Sequence, residues 1–105
     1  MINHTMLVSF DQPLPEPELD RYLEDIERAI RDTGVVEDFT SARHIPIDGE
    51  EAIPALIATA IVQITVADAD ALAKAFAAPA IGEVIEHWQA RHPYKVGWAN
   101  HAPLA

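Results

Sequence analysis

Hydrophobic and polar positions alternate over residues 3–10, NHTMLVSF. His4, Met6, Val8 and Phe10 share one face, and Asn3, Thr5, Leu7 and Ser9 the other. Period two predicts a strand, ended by Asp11 and the stiff proline-rich stretch Gln12 to Pro17. Over 16–33 the period lengthens: Leu19, Tyr22, Leu23, Ile26, Ala29 and Ile30 make one apolar stripe opposite a charged face. This predicts an amphipathic helix. Pro15 and Pro17 suit its first turn, Glu16 and Glu18 its N-terminal dipole, and Gly34 its stop. Residues 35–47 read as a strand of mixed polarity that Pro46 ends or confines to an edge. After a loop at 48–51, residues 55–66 form the most hydrophobic strand. Asp68 or Asp70 caps a second helix. Its stripe begins with Leu72, Ala75 and Phe76, is interrupted at Pro79, resumes as Ile81, Val84, Ile85 and Trp88, and stops at Pro93. Residues 94–101, YKVGWANH, make the last strand.

The order β-α-β-β-α-β predicts an α+β, ferredoxin-like domain: a four-stranded antiparallel sheet with both helices on one face. At 105 residues, 1–105 is one domain. Two helices cover only one sheet face, yet the third strand reads as apolar on both. Leu56, Ala58, Ala60, Val62, Ile64 and Val66 point one way, and Ile57, Thr59 and Ile61 the other, with Gln63 and Thr65. A half-exposed antiparallel strand carries polar residues on its wet side. A second copy related by a two-fold axis is the economical cover, so a homodimer is expected.

Seventeen acidic against seven basic residues give a net charge of −10, which argues against nucleic acid as a partner. No run approaches the ~18 apolar residues of a membrane span, so no membrane partner is expected. There are no cysteines, which removes disulfides and thiolate chemistry. The first residues, MINHTMLVSFDQ, lack a signal-peptide pattern, and a cytoplasmic location is expected. No metal or cofactor is expected either. The glycines are scattered singly, and the five histidines form no His-x-His or His-x-x-x-His pair. Glu83 and His87 are spaced i,i+4 on the outer side of the second helix and read as a surface pair.

In His4 to Phe10, in Thr59 to Val66 and in Phe76-Ala77-Ala78-Pro79-Ala80, the chain resembles the dimeric α+β barrel superfamily. Within it the resemblance is to the stress-responsive A/B barrel family, with EthD-like proteins and cofactor-free antibiotic-biosynthesis monooxygenases as relatives. The resemblance implies a dimeric α+β barrel, a pocket between sheet and helices, and cofactor-free chemistry such as that of polyketide cyclases of the olivetolic acid cyclase kind. Those cyclases use a tyrosine and a histidine of the second helix. Aligned on Pro79, these positions fall on Ala75 and Ile81, and the family's His-Pro-x-His motif becomes Ala78-Pro79-Ala80-Ile81.

Three residues stand out as candidate catalytic groups. His4 shares the face of Met6, Val8 and Phe10, where a partly buried neutral imidazole serves as a general base or is simply a packed histidine. Tyr22, on the inward stripe of the first helix, donates to a substrate oxygen or is a boundary tyrosine. His92 polarises oxygen beside Trp88 or merely ends the helix. Phe10, Phe76, Trp88 and Trp98 would wall a pocket for a planar or polyketide-like hydrophobic substrate, and both tryptophans also suit a core. Met6, Val8, Leu23, Ile26, Val62 and Ile81 complete the expected lining. Arg43 binds a substrate carboxylate or makes a surface ion pair. The leading expectation is a cofactor-independent cyclase, isomerase or lyase working by proton transfer. A cofactor-free monooxygenase of aromatic polyketides and a non-catalytic small-molecule-binding or stress-response protein are the alternatives.

Overall fold

The hub of the sheet is the first strand, β1 (Ile2–Phe10), which pairs on both sides. In the computed structural model, which describes residues 1–105, it is followed by α1 (Glu16–Arg31), β2 (Val36–Arg43), a short 3-10 turn (Glu50–Ala52), β3 (Ala60–Val66), α2 (Ala69–Ala77), α3 (Pro79–Arg91) and β4 (Tyr94–His101). The strands lie in the order β2-β3-β1-β4 with every pairing antiparallel. This is the ferredoxin-like α+β arrangement that the element order predicts.

Alternation along the strands sorts the sheet into two faces. Met6, Val8 and Phe10 of β1 and Ala60, Val62, Ile64 and Val66 of β3 are buried. They pack in one core with Leu19, Tyr22, Ile26 and Ile30 of α1 and Ile81 and Trp88 of α3. Each Val, Leu, Ile, Met or Phe side chain among them contributes about 1.5–3 kcal/mol on burial. The opposite side of α1 is held in water by pairs one turn apart, among them Arg31 Nε to Glu27 at 2.7 Å.

Local chemistry sets the boundaries. Pro15 precedes α1, with Pro17 in its first turn. Gly34 takes φ +76°, a left-handed turn that leads from α1 to β2. Asp68 caps α2, accepting from the Ala71 amide at 2.9 Å. Pro79 splits the second helical segment in two, with Ala78 in extended conformation between α2 and α3.

Two strands are shorter than their hydrophobicity predicts. β2 stops at Arg43 rather than residue 47, and β3 starts at Ala60 rather than residue 55. The ladder ends at the Arg43–Ala60 pair. Beyond it Pro46 has no amide hydrogen to donate, and the Thr59 hydroxyl accepts from the Phe10 amide at 3.0 Å. Leu56 and Ile57 therefore lie in the β2–β3 connection and not on β3. The exposed face of β3 is Ile61, Gln63 and Thr65. That connection is clamped by Glu50, whose carboxylate accepts from the Ile47 amide at 2.7 Å and from His44 Nε2 at 2.8 Å.

The outer sheet face carries one apolar row. Ala42, Ile61, Leu7 and Gly97 are successive cross-strand partners from β2 to β4. Leu7 and Ile61 are 46% and 41% exposed there. The neighbouring rows are polar and hydrogen-bonded: Gln63 Nε2 donates to Thr5 Oγ1 at 3.0 Å, and Thr65 Oγ1 donates to Asn3 Oδ1 at 2.8 Å.

Candidate functional site

Antiparallel register brings the two ends of the chain together. The β1–β4 ladder sets His4 opposite Asn100, Met6 opposite Trp98 and Val8 opposite Val96, all on the face toward the helices. Between these strands, α2 and the middle of α3 lies a cavity of about 510 Å³, within the ~300–1,000 Å³ range of small-molecule sites. The sheet contributes His4, Met6, Val96, Trp98 and Asn100. The α2 helix contributes Ala69, Leu72, Ala73 and Phe76, at helical spacing, and α3 contributes Ile85.

His4 is 2% exposed. Its Nδ1 lies 2.7 Å from Asn100 Oδ1. An amide oxygen only accepts, so Nδ1 carries the proton and donates. The other ring nitrogen, Nε2, is buried and has no hydrogen-bond partner. Phe76 and Trp98 flank the ring, with centroids 4.8 and 5.0 Å away. Burial pushes the imidazole pKa below its ordinary value, the Asn100 hydrogen bond opposes this, and His101 adds to the lowering. At neutral pH His4 is a neutral imidazole with the Nε2 lone pair unused.

Of the residues expected to form the site, His4, Met6, Phe76 and Trp98 line this cavity. Tyr22 and His92 do not. Tyr22 is buried at the Phe10–Tyr94 end of the β1–β4 ladder, its ring 5.1 Å from Phe10 and 5.2 Å from Tyr94. That end is about 20 Å from His4 at ~3.3 Å per residue. Burial and the neighbouring Tyr94 hold the Tyr22 phenol far above its usual range. His92 stacks on Trp88 and lies 3.6 Å from Glu18.

Trp88 is core, its indole N–H donating to Asp25 Oδ2 at 2.9 Å. Val8, Phe10, Ile26, Val62 and Ile81 are core as well, and Leu23 packs half-buried against them. None of these lines the cavity, which lies over the β1–β4 side of the sheet near His4 and is closed by α2 and α3, whereas α1 runs from Arg43 at one end of β2 to Phe39 near the other and packs the core. Arg43 ends β2 on the helix-facing side, where it pairs with Asp20 and Glu16 of the acidic α1, so it too is outside the cavity. Asn100, Val96 and Ile85 are lining residues that the sequence reading did not single out. The detectable signal was an amide closing the inward alternation Tyr94, Val96, Trp98. A second hollow of about 380 Å³ runs between α1 and α3 past Asp25, Asp32, Glu83 and His87.

Comparison with solved structures gives the fold a wider setting. A ferredoxin-like protein of the dabb family from Mesorhizobium loti matches with TM-score 0.75 and 18% identity, over 99% of this chain and 97% of its own. The chain shares that ferredoxin-like fold. A hydroxynitrile lyase from Passiflora edulis matches with TM-score 0.75 and 12% identity, over 98% of this chain and 93% of its own. SnoaB, a cofactor-independent oxygenase from Streptomyces nogalater, matches with TM-score 0.71 and 12% identity, over 99% of this chain and 94% of its own. Other matches are described as dimeric. No family model and no curated protein matches the sequence. No helix is long and apolar enough to cross a membrane.

Proposed function

We propose that this protein is a cofactor-independent enzyme acting on a hydrophobic small molecule, with His4 as general base. The observation that carries this reading is the state of the imidazole: Nδ1–H tied to Asn100, and Nε2 buried and unpartnered, on a ring that lines an apolar cavity. A neutral Nε2 accepts a proton from an activated C–H or O–H of the substrate. Asn100 holds the ring in the tautomer that leaves Nε2 bare, and its own Nδ2 donors polarise the oxygen on which charge develops. Asn100 thus replaces Tyr22 and His92 in that part. Cyclases, isomerases and lyases that work through an enolate or alkoxide begin with such a proton transfer, and a lyase occurs among the proteins of this fold.

Base chemistry is testable before the substrate is identified. The wild type is expected to accelerate exchange of the α-protons of 2-tetralone in deuterated buffer, followed by NMR, and His4→Gln is not. No acceleration by the wild type above free imidazole at equal concentration contradicts the reading.

Trp98 beside His4 supports a second reading, a cofactor-free monooxygenase in which an electron-rich phenol is deprotonated before reacting with oxygen. An oxygenase of this fold is known. Oxygen uptake with an anthrone separates this reaction from a cyclase or lyase.

We further propose a homodimer built on the outer sheet face. The Ala42–Ile61–Leu7–Gly97 row is an apolar stripe bounded by polar rows, which suits a self-complementary two-fold contact.

A further inference from the structure

We propose that the cavity takes an uncharged, flat aromatic compound presenting a hydroxyl or enol proton to His4 Nε2, and that it rejects the corresponding carboxylates. This deepens the reading of His4 as a base and rests on it.

Three features of the lining carry the inference. First, no Lys, Arg, Asp or Glu lines the cavity, and His4 and Asn100 are its only strongly polar side chains. A carboxylate entering there loses its water and meets no cation. The neighbouring N-terminus of α2 does not compensate, because Asp68 already accepts from the Ala71 amide and Asp70 adds a further negative charge.

Second, the orphaned atom is an acceptor. Because Nδ1 donates to Asn100, Nε2 offers a lone pair and no proton. It is closed to water, so a ligand reaches it by displacing one of the partly exposed Phe76 and Trp98 rings beside it. A ligand satisfies Nε2 only by donating. A hydroxyl or enol does so, whereas a carboxylate sets lone pair against lone pair. Leaving a buried polar group unpaired is the usual source of strong discrimination between near-isosteres.

Third, the walls are flat. Phe76 and Trp98 stand on either side of the imidazole, tilted 54° and 43° to it, and both retain exposed surface. Their free ring faces offer stacking area at the mouth. At about 30 Å³ per water, the cavity has the room of about seventeen waters, ample for fused rings.

The test is a matched series, 1-naphthol, naphthalene and 1-naphthoate, titrated calorimetrically into the wild-type protein at neutral pH, with the His4 ring resonances followed by NMR. The expected order is naphthol tightest, naphthalene weaker by roughly tenfold and naphthoate weakest, with the Nε2 resonance moving for naphthol alone. Naphthoate binding as tightly as naphthol overturns the proposed class while leaving His4 as a site residue. Equal binding of naphthalene and naphthol, with His4 unmoved, overturns the donor requirement and counts against the base reading as well. No binding by any of the three overturns both. Asn100→Asp supplies an independent check. A carboxylate at Nδ1 favours the imidazolium, turns Nε2 into a donor, and is expected to shrink the preference for naphthol over naphthoate. An unchanged preference in that folded variant overturns the assignment of Nε2 as the selecting atom.

Discussion

His4 and Asn100 face each other across the β1–β4 ladder, with Nδ1 and Oδ1 2.7 Å apart. The two residues stand 96 positions apart in sequence, and the antiparallel register makes them direct neighbours. The pairing fixes which imidazole nitrogen carries the proton and therefore what the cavity can do.

Removing the amide while keeping the imidazole tests that positioning role. Asn100→Ala frees the ring to change tautomer and leaves Nδ1–H without its acceptor. The expected result is a loss of roughly tenfold or more in the exchange rate at saturating 2-tetralone, with a smaller change in the concentration needed for half-maximal rate. A rate within twofold of wild type shows that Asn100 is structural only.

The two tryptophans have opposite expectations. Trp88 is 2% exposed and hydrogen-bonded to Asp25. Trp88→Ala is expected to cost about 3–5 kcal/mol in denaturant unfolding. Trp98 is 61% exposed, so Trp98→Ala is expected to cost at most about 1 kcal/mol while weakening naphthol binding. Similar stability losses in the two variants contradict this division between core and cavity wall.

Stability has a pH signature with a definite sign. The folded-state pKa of His4 lies below its ordinary value of 6.5, so the unfolded chain takes up this proton first as pH falls. The stabilisation from keeping His4 neutral is complete above 6.5 and is lost as pH drops from there through the lowered value. Glu18 and Glu50, also lowered, lose their contributions only below 4.5. Thermal melts of wild type and His4→Gln between pH 7 and 5 check this window, with the wild type expected to fall more steeply. Parallel curves contradict the burial-driven shift.

The outer face is tested by charge. Leu7 and Ile61 are cross-strand partners at the middle of the apolar row. Leu7→Lys places like charges together across a two-fold contact and is expected to give single chains in sedimentation at micromolar concentration, with the wild type dimeric. A monomeric wild type contradicts the proposed dimer.

Much of the fold was legible in the residues. Period-two and period-3.6 patterns, Pro79, Pro93 and the Asp68 cap are local signals, and the structure follows them almost residue by residue at β1, β4 and the helix break. Hydrophobicity overstated β3, because Ala55 to Ala58 have strand-like side chains but no neighbouring strand to bond, a fact of the ladder and not of the residues. The cavity was less legible. His4, Met6, Phe76 and Trp98 could be placed by face, but which part of that face the helices pack and which they leave hollow is a tertiary outcome. Tyr22, His92 and Trp88 shared an inward stripe with real lining positions and fell at the packed end. Asn100 was missed because its role depends on the register of β1 against β4.

The most direct measurement is a long-range ¹H–¹⁵N correlation of His4 in the wild-type protein at neutral pH, recorded with and without 1-naphthol. The expected result is a neutral ring protonated at Nδ1, with a bare Nε2 whose resonance moves when the ligand binds. An imidazolium, a ring protonated at Nε2, or an Nε2 signal unmoved by bound ligand would contradict it.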